Sequence, residues 1–138
     1  TRCKELYKGF TKERLENKFR KILSGCPNMV DYKHINNIIW KKGYEDHDDV
    51  IPTLIPNWDH SPRGGKNSLV FNHCTPELWK EQAVKVINLT KNKSNKLIML
   101  KSWNEWGEGN YMEPDLKYGK KIINILADSL KNDGGTDR

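Results

Sequence analysis

The sequence predicts an α/β fold in which parallel strands alternate with helices. Two short apolar runs, VIPTLIP at 50–56 and KLIMLKSW at 96–103, have the length and composition of buried strands. Each run is followed by a polar loop and then by a segment with helical periodicity, and Leu69–Asn72 is expected to add a brief extended piece. This order is typical of parallel strands joined by helical crossovers, in a barrel or in an open sheet. The 138 residues suffice for one domain with a core.

Four helices are predicted where apolar residues recur every three or four positions. The first spans 11–24, the second runs from near Asp31 to about Gly43, and the other two are capped by Thr75 and Asp115. The residues expected to form the apolar faces of these helices are, in chain order, Leu15, Phe19, Ile22, Leu23, Ile35, Ile38, Ile39, Leu78, Ala83, Val86, Ile87, Ile122, Ile123, Leu126 and Leu130.

The formal net charge of +6 raises nucleic acid as a partner. However, the lysines are scattered along segments such as TKERLENKFRKIL and alternate with glutamates, which is typical of solvated helix faces. No nucleic-acid partner is therefore expected, and a basic nucleic-acid-binding domain is kept as the least favoured alternative.

No membrane span is predicted, because no window approaches about 18 unbroken apolar residues. The amino terminus, TRCKELYKGF, lacks an initiator Met and the apolar core of a signal peptide, so it is interpreted as a cut end. Three cysteines, Cys3, Cys26 and Cys74, lie far apart without CxxC spacing. This usage fits a reducing compartment and predicts a cytoplasmic location.

No metal site and no organic cofactor are expected from the sequence. Cys26 and Cys74 are interpreted as small apolar residues. His60 and His73 have no partner at ligand spacing, so both are interpreted as structural.

Polar, chemically rich loops follow both predicted strands. They are NWDHSPRGGKN at 57–67, called the 57–67 loop, and SWNEWGEGNYMEPD at 102–115, called the 102–115 loop. In α/β barrels and open α/β sheets alike, functional residues collect in loops after the carboxyl ends of the strands. We therefore expect the two loops to line one face of the molecule together.

The composition of the 102–115 loop predicts carbohydrate chemistry. Glu105 and Glu108 are three residues apart, and Gly107 and Gly109 allow sharp turns that let both carboxylates point into one cleft. Two carboxyl groups that divide the roles of acid and base are the usual means of cleaving or forming a glycosidic bond. Glu105 and Glu108 are therefore the predicted catalytic pair.

Residues suited to hold a sugar surround this pair. Indoles stack on the apolar faces of sugar rings, and amide, carboxylate and guanidinium groups bond sugar hydroxyls. The predicted substrate-binding residues are Trp58, Asp59, Arg63, Trp103, Asn104, Trp106, Asn110, Tyr111 and Glu113. Three structural alternatives stay open. Trp103 is equally compatible with core packing, Asp59 and Arg63 with a salt bridge that shapes their loop, and Glu113 with orienting the next helix.

The two loops also resemble a known family. WNEWGEGNYMEPD, followed by Tyr118-Gly119, resembles the carboxyl-terminal signature of the WbsX-type glycosyltransferases of bacterial surface polysaccharides. IPNWDHSPR resembles a second signature of that family, and TPELW its helix start. The resemblance covers roughly 28–130. The family is similar to glycoside hydrolase family 99, endo-acting mannosidases with a (β/α)8 barrel.

The resemblance implies the carboxyl-terminal βα units of a TIM-like (β/α)8 barrel. Such a barrel takes about 250 residues, so it would be incomplete in this chain. The chain is then a single domain, 1–138, with an N-terminal helical segment at 1–27, family-like βα units at 28–132 and a tail at 133–138. Since the rest of the barrel would supply most of the sugar pocket, this chain alone is expected to be inactive.

The resemblance also implies a reaction. It is glycosyl transfer in assembling lipopolysaccharide O-antigen or capsule, with a carbohydrate substrate and an activated sugar donor. The alternative is endo-acting, retaining glycoside hydrolysis by the same residues. In the family 99 pattern, Glu105 would deprotonate the 2-hydroxyl of the sugar and Glu108 would be the acid/base at the departing oxygen. Those hydrolases tend to carry a histidine at the position of Gly107. This difference makes the sequence resemble the WbsX-type family more closely than family 99.

Overall fold

The computed structural model describes Leu15, Lys18, Phe19 and residues 22–40 and 43–133. Cys3, most of the predicted first helix and 134–138 of the predicted tail lie outside the described residues. The strands are β1 (Asn28–Asp31), β2 (Thr53–Leu54), β3 (Leu69–Asn72), β4 (Met99–Leu100), β5 (Asn104–Glu105) and β6 (Asn110–Tyr111). The helices that follow β1 are α1 (Tyr32–Ile38), α2 (Ser61–Gly64), α3 (Pro76–Thr90) and α4 (Lys121–Asp133), with 3-10 turns at Gly65–Asn67 and Trp106–Glu108.

Two pairs of parallel strands position the site. In the first pair, β1 lies beside β3, from Asn28 opposite Leu69 to Asp31 opposite Asn72. In the second pair, β2 lies beside β4. The parallel pairing that the alternation of elements predicted is confirmed, while membership of a larger barrel stays a prediction. The remaining pair, β5 and β6, is an antiparallel hairpin within the 102–115 loop.

The strands differ from the prediction in number and length. The predicted strands at 50–56 and 96–103 contain only two hydrogen-bonded ladder residues each, in β2 and β4. The extended piece at Leu69–Asn72 is confirmed as β3. The strand β1 was not predicted, because NMVD carries only two apolar residues and its partner lies far along the chain.

The predicted cap at Thr75 is confirmed and the one at Asp115 is wrong, while Asp31, near which the second helix was predicted to begin, proves to be its cap. The side chain of Asp31 accepts a hydrogen bond from Lys33 N, and that of Thr75 accepts one from Leu78 N, with Pro76 in the first turn of α3. Asp115 does not cap α4, which begins at Lys121. Instead, Oδ1 of Asp115 accepts a hydrogen bond from Tyr118 N and closes a turn before the helix.

The core lies between α3, α4 and the β2–β4 pair. Its buried residues are Trp40, Leu54, Trp79, Val86 and Met112, with residues of α4 packed against them. The inner face predicted for α3 is confirmed at Ala83, Val86 and Ile87, and Trp79 and Gln82 extend it. Leu130, predicted on the inner face of α4, is 51% exposed, because Ser129 and not Leu130 faces inward at that turn.

The described residues of the first helix are helical and exposed. Leu15, Phe19, Ile22 and Leu23 share the predicted apolar face, and each side chain is 62–79% exposed. An apolar helical face is therefore left uncovered in this chain. None of the helices within the described residues is long and apolar enough to cross a bilayer.

A buried polar network joins α1, α3 and the end of β2. Nε2 of Gln82, which is fully buried, donates to the hydroxyl of Tyr32 and to Oδ1 of Asn36, both at 2.8 Å. Oε1 of Gln82 accepts from Ile55 N at 2.7 Å, and the Tyr32 hydroxyl donates to the Ile55 carbonyl at 2.6 Å. Because these buried polar groups bond one another, the end of β2 is fixed where the 57–67 loop begins.

Candidate active site

The 57–67 and 102–115 loops meet through main-chain and amide contacts, which confirms that they lie together. Asp59 N donates to the carbonyl of Glu108 at 2.8 Å. Tyr111 N donates to Oδ1 of Asn57 at 2.9 Å, and Nδ2 of Asn110 donates to the carbonyl of Asn57 at 2.6 Å. The geometry of one loop therefore depends on the other.

The 102–115 loop folds into a hairpin that crowds the 57–67 loop at Gly109. In this hairpin β5 and β6 flank the 3-10 turn Trp106–Glu108, and Gly109 follows with a φ of 50°. A Cβ at Gly109 would lie 2.7 Å from Cβ of Asp59. Both the left-handed backbone and the close approach require glycine at this position.

The two predicted catalytic carboxylates meet at the guanidinium of Arg63. Nη2 of Arg63 donates to Oε1 of Glu105 at 2.8 Å, and Nη1 donates to Oε1 of Glu108 at 3.1 Å. A Cβ at Gly107 would lie 3.0 Å from Nη2 of Arg63. The glycine at which this sequence departs from family 99 is therefore the place where the guanidinium packs.

The surroundings of the two carboxylates differ. The side chain of Glu108 is 18% exposed, and that of Glu105 is 38% exposed. Nζ of Lys101 lies 3.8 Å from Oε2 of Glu108, and Nε2 of His60 lies 3.8 Å from Oε1. Glu108 is thus the more enclosed of the two and has more cationic or protonatable neighbours.

Asp59 and Arg63 do not form the salt bridge that was left open as an alternative, because the guanidinium reaches across to the other loop. Oδ1 of Asp59 accepts instead from the main-chain N–H and the hydroxyl of Ser61, at 2.9 and 2.5 Å. These bonds stabilise the turn into α2, which carries Arg63. Asp59 therefore supports the carboxylate pair through the backbone that positions Arg63.

An aromatic stack covers one side of the hairpin. The rings of Trp106 and Tyr111 lie 3.7 Å apart with an interplanar angle of 12°. Nε1 of Trp106 donates to Oε2 of Glu113 at 2.6 Å, and the Tyr111 hydroxyl donates to Oδ2 of Asp115 at 3.2 Å. Trp106 is 47% exposed, so the stack leaves an indole surface open to a ligand.

Three further predicted binding residues are half-buried or exposed. Trp103 is 52% exposed, which rules out the alternative of core packing for its side chain. Asn104 is exposed and lies opposite Tyr111 in the hairpin. The ring of Trp58 lies beside Phe71, and Nζ of Lys101 is 4.9 Å from its centroid.

Asn110 is fully buried, unlike the other predicted binding residues. Its Nδ2 donates to the carbonyls of Asn57 and Lys101, at 2.6 and 2.9 Å. Its Oδ1 is buried without a hydrogen-bond partner among the described residues. The amide is thus used to hold the end of β2 against the end of β4.

A cleft of about 440 Å³ opens beside the hairpin. Four predicted binding residues line it, namely Trp58, Asp59, Tyr111 and Glu113. Glu105, Glu108, Trp103 and Trp106 do not line it. The predicted site residues therefore fall into two groups. One lines this cleft, and the other includes the carboxylates that contact Arg63.

Several residues of the cleft were not predicted as functional, among them His73, Cys74 and Tyr118. His73 follows β3 directly, and its ring contacts Asp31 at the end of β1. Its position directly after a predicted strand was a signal that could have identified His73. Its carboxylate partner, however, depends on β1, which was not predicted. Burial raises the pKa of the Cys74 thiol to about 12, which keeps it protonated and supports its interpretation as a small apolar residue.

Within the part of the chain that the structure describes, no group of three or more His, Cys, Asp or Glu side chains is arranged to hold a metal ion. The site residues named above are carboxylates, amides, aromatic rings and one guanidinium. Their chemistry is that of hydrogen bonding, stacking and proton transfer.

The sequence profile of the family described as glycosyltransferase WbsX matches residues 2–126. This chain belongs to the glycosyltransferase WbsX family. The match includes both loops and all of the predicted site residues. The WbsX-type resemblance of the two signatures is thereby confirmed.

Two curated relatives of this WbsX-family chain come from two strains of Xanthomonas campestris pv. campestris, and each is named uncharacterized protein WxcX. Each is 21% identical over 106 residues, which cover 75% of this chain and 15% of the relative. The chain thus spans well under a fifth of the length of these relatives. No solved structure matches it.

Proposed function

We propose that this chain is part of a glycosyltransferase that assembles lipopolysaccharide O-antigen or capsular polysaccharide. Family membership supports the transferase class. The observation that carries the assignment of the site is the guanidinium of Arg63, which gathers Glu105 and Glu108 at one point. Two carboxyl groups held together can divide the acid and base roles that glycosidic chemistry requires.

We also propose that the described strands belong to a larger TIM-like barrel. Two observations support this. The pairs β1–β3 and β2–β4 are parallel, and both chemically rich loops follow the carboxyl ends of β2 and β4. In TIM barrels, active sites are built from loops at that end of the strands. The rest of the barrel would then complete the sugar pocket around the two loops.

The family pattern assigns a separate role to each carboxylate. Glu105 is the more exposed, and we assign it to the proton of a sugar 2-hydroxyl. Glu108 is more enclosed, and we assign it to the departing oxygen, which must receive a proton. Arg63 keeps the two carboxylates from repelling each other before the sugar binds, because its charge lies between them.

Aromatic surfaces would orient the sugar. Trp106 is braced by Tyr111 beneath it and by Glu113 at its ring nitrogen, so a sugar that stacks on its open face meets a ring that is already fixed. A braced ring loses little conformational entropy when a ligand binds. Trp103 adds a second exposed indole on the same loop.

An assay of transfer by the full-length protein tests this function. The protein is incubated with activated sugars and oligosaccharide acceptors, and the acceptors are weighed by mass spectrometry. We expect the mass of one acceptor to rise by one sugar residue, only when a donor is present, and the rise to disappear in Glu105→Gln and Glu108→Gln. Shortening of a polysaccharide without a donor would support the hydrolase alternative. If the wild-type protein produced neither change, the proposal would be wrong.

A further inference from the structure

Asp31 and His73 form a pair at the carboxyl ends of two adjacent strands. Asp31 is the last residue of β1, and His73 directly follows β3, whose last residue, Asn72, lies opposite Asp31. Nδ1 of His73 is 3.0 Å from Oδ2 of Asp31. The pair lies at the end of the strands where α/β proteins carry their functional groups.

The carboxylate of Asp31 is held in place from its other side. Its Oδ1 accepts a hydrogen bond from Lys33 N at 2.8 Å as the cap of α1. Burial raises the pKa of Asp31, but hydrogen bonds from His73 and from the main chain of Lys33 and His34 outweigh burial and hold that pKa below its ordinary value. Asp31 is therefore a fixed anion that orients the imidazole.

The contact with Asp31 determines which ring nitrogen of His73 can accept a proton. An ionised carboxylate can only accept hydrogen bonds, so Nδ1 of a neutral His73 carries the hydrogen. Nε2 then has a free lone pair. Its present neighbour is Nδ2 of Asn72 at 3.3 Å, a long hydrogen bond that an incoming hydroxyl can replace.

The backbone of His73 is held in a conformation that is uncommon for a residue with a side chain. Its φ is 56°, and among the non-glycine residues that the structure describes it alone has a positive φ. Such conformations persist where the surrounding structure enforces them, and they cluster at functional sites. Here the enforced conformation brings the imidazole to Asp31.

The cleft that His73 lines suits an uncharged sugar better than a phosphate. Its walls include the rings of Trp58, Tyr111 and Tyr118, the carboxyl groups of Asp59, Glu113 and Asp115, and one ammonium group, that of Lys117. Carboxylates repel phosphate but accept hydrogen bonds from sugar hydroxyls, and the rings offer stacking surface. A volume of about 440 Å³ lies within the range of small-ligand pockets.

We propose that this cleft binds the acceptor sugar and that His73 is the general base for its reacting hydroxyl, with Asp31 as the positioning residue. The proposal rests on the transfer reaction proposed above. Nε2 of His73 takes the proton while the acceptor oxygen bonds to the anomeric carbon of the donor. The bond from that carbon to the departing oxygen breaks, and its electron pair leaves with the oxygen, which takes a proton from Glu108. His73 and Glu108 then exchange protons with water.

The variant His73→Gly tests the base directly. Glycine adopts a φ near 56° readily, so the backbone is retained while the imidazole is removed. In the full-length protein we expect kcat to fall about 100-fold, the lower end of the range for general base catalysis, with KM for the acceptor nearly unchanged. Added imidazole should restore part of the lost rate. His47→Ala, in an exposed loop, is the matched control. Loss of activity without rescue, or no loss at all, would overturn the proposal.

The variant Asp31→Asn tests the positioning role without removing the helix cap, because Asn caps helices as well as Asp. We expect the variant to stay folded at the assay temperature and KM to stay the same, while kcat falls by a smaller factor than in His73→Gly. In the double variant, the Asp31→Asn change should cause no further loss of kcat, since the imidazole that it orients is gone. Independent losses that multiply would overturn the positioning role.

Chemical footprinting separates failure of this proposal from failure of the proposed function. Carbethoxylation of His73 and His47 by diethylpyrocarbonate is measured by peptide mapping with and without methyl hexopyranosides, and tryptophan emission reports sugar binding. We expect the sugars to slow modification of His73 but not of His47, and inorganic phosphate to protect neither. A change in emission without protection of His73 would refute the acceptor cleft alone. No effect on either signal would count against the sugar site as a whole.

Discussion

Nη2 of Arg63 lies 2.8 Å from Oε1 of Glu105, although the two residues are 42 positions apart in the chain. The same guanidinium reaches Glu108 through Nη1 at 3.1 Å. The predicted catalytic pair is therefore organised by a side chain from the other loop. Since the side chains of Arg63 and Glu105 are both more than a third exposed, this contact adds little to stability and bears mainly on where the carboxylates point.

The carboxylates of the 102–115 loop should respond unequally to removal of their charge. In the full-length protein, Glu105→Gln and Glu108→Gln should each lower turnover by about 100-fold or more, because glutamine keeps the size but cannot exchange protons. Glu113→Gln is the matched control. Glu113 accepts a hydrogen bond from the ring nitrogen of Trp106, so its replacement should lower turnover by a smaller factor. Steady-state kinetics check this. Near-normal turnover in the first two variants, with loss in the third, would show that the wrong pair was chosen.

Removal of the Trp106 ring should weaken sugar binding more than folding. Trp106→Ala loses a half-exposed indole that stacks on Tyr111. Besides the free energy that comes from burying the apolar area of the ring, the loss should weaken sugar binding by on the order of 1 kcal/mol. Trp106→Phe keeps an aromatic face and should retain most of the affinity. Calorimetric titrations with the activated sugars and with the acceptors of the transfer assay, together with thermal melts, check both variants. A large drop in melting temperature with unchanged affinity would make Trp106 structural.

Two glycines with similar backbone angles should tolerate alanine differently. Gly109 has a φ of 50° and Gly119 a φ of 56°, so alanine at either position carries the left-handed penalty of about 1–2 kcal/mol. At Gly119 a Cβ meets nothing within 4 Å, whereas at Gly109 it would lie 2.7 Å from Cβ of Asp59. Gly109→Ala should therefore cost about 1–3 kcal/mol more. Equal free energies of unfolding from urea titrations would contradict the close packing of the two loops.

The pair of Asp31 and His73 should make stability sensitive to acid. The pKa of Asp31 is lower in the folded protein than its ordinary value, so folding favours the ionised form. That contribution is fully present above about pH 4, the ordinary range of aspartate, and is lost as the pH falls through the lowered folded value. The difference in urea midpoint between wild type and Asp31→Asn should shrink on acidification below that range. A difference that is independent of pH would show that the charge of Asp31 is irrelevant.

The isolated 138-residue chain should self-associate and show no turnover. The exposed face formed by Leu15, Phe19, Ile22 and Leu23 favours association, and so do the outer edges of the two-stranded sheets. Light scattering at several concentrations measures this. Phe19→Glu, which places a charge on the exposed face, should reduce association and serves as the control. A monodisperse monomer that melts cooperatively would contradict this prediction.

The sequence was most informative where the structure depends on neighbours in the chain. The cap of α3 by Thr75 and the periodic inner face of that helix are local features, and both were predicted. The meeting of the two loops was also predicted, because it follows from the general rule that parallel strands present their carboxyl ends together. Family membership rests on the signatures that the same loops carry.

The features that were missed depend on contacts between distant residues. The strand β1 is defined by its partner β3 and not by its own four residues. Arg63 could have paired with Asp59, four positions away, but packing against Gly107 directs it to Glu105 and Glu108. His73 has a carboxylate partner only because β1 places Asp31 beside it. In each case the deciding distance is set by the fold and cannot be read from spacing in the chain.

The order in which the strands pair has a consequence for how the chain can be divided. The pair β1–β3 and the pair β2–β4 interleave, since β2 lies between the members of the first pair along the chain and β3 between those of the second. A break in the 57–67 loop would leave β1 and β2 on one piece and β3 and β4 on the other. Both parallel pairs would then span the break. Neither piece alone contains a complete parallel pair, so both pairs form only when the two pieces bind each other.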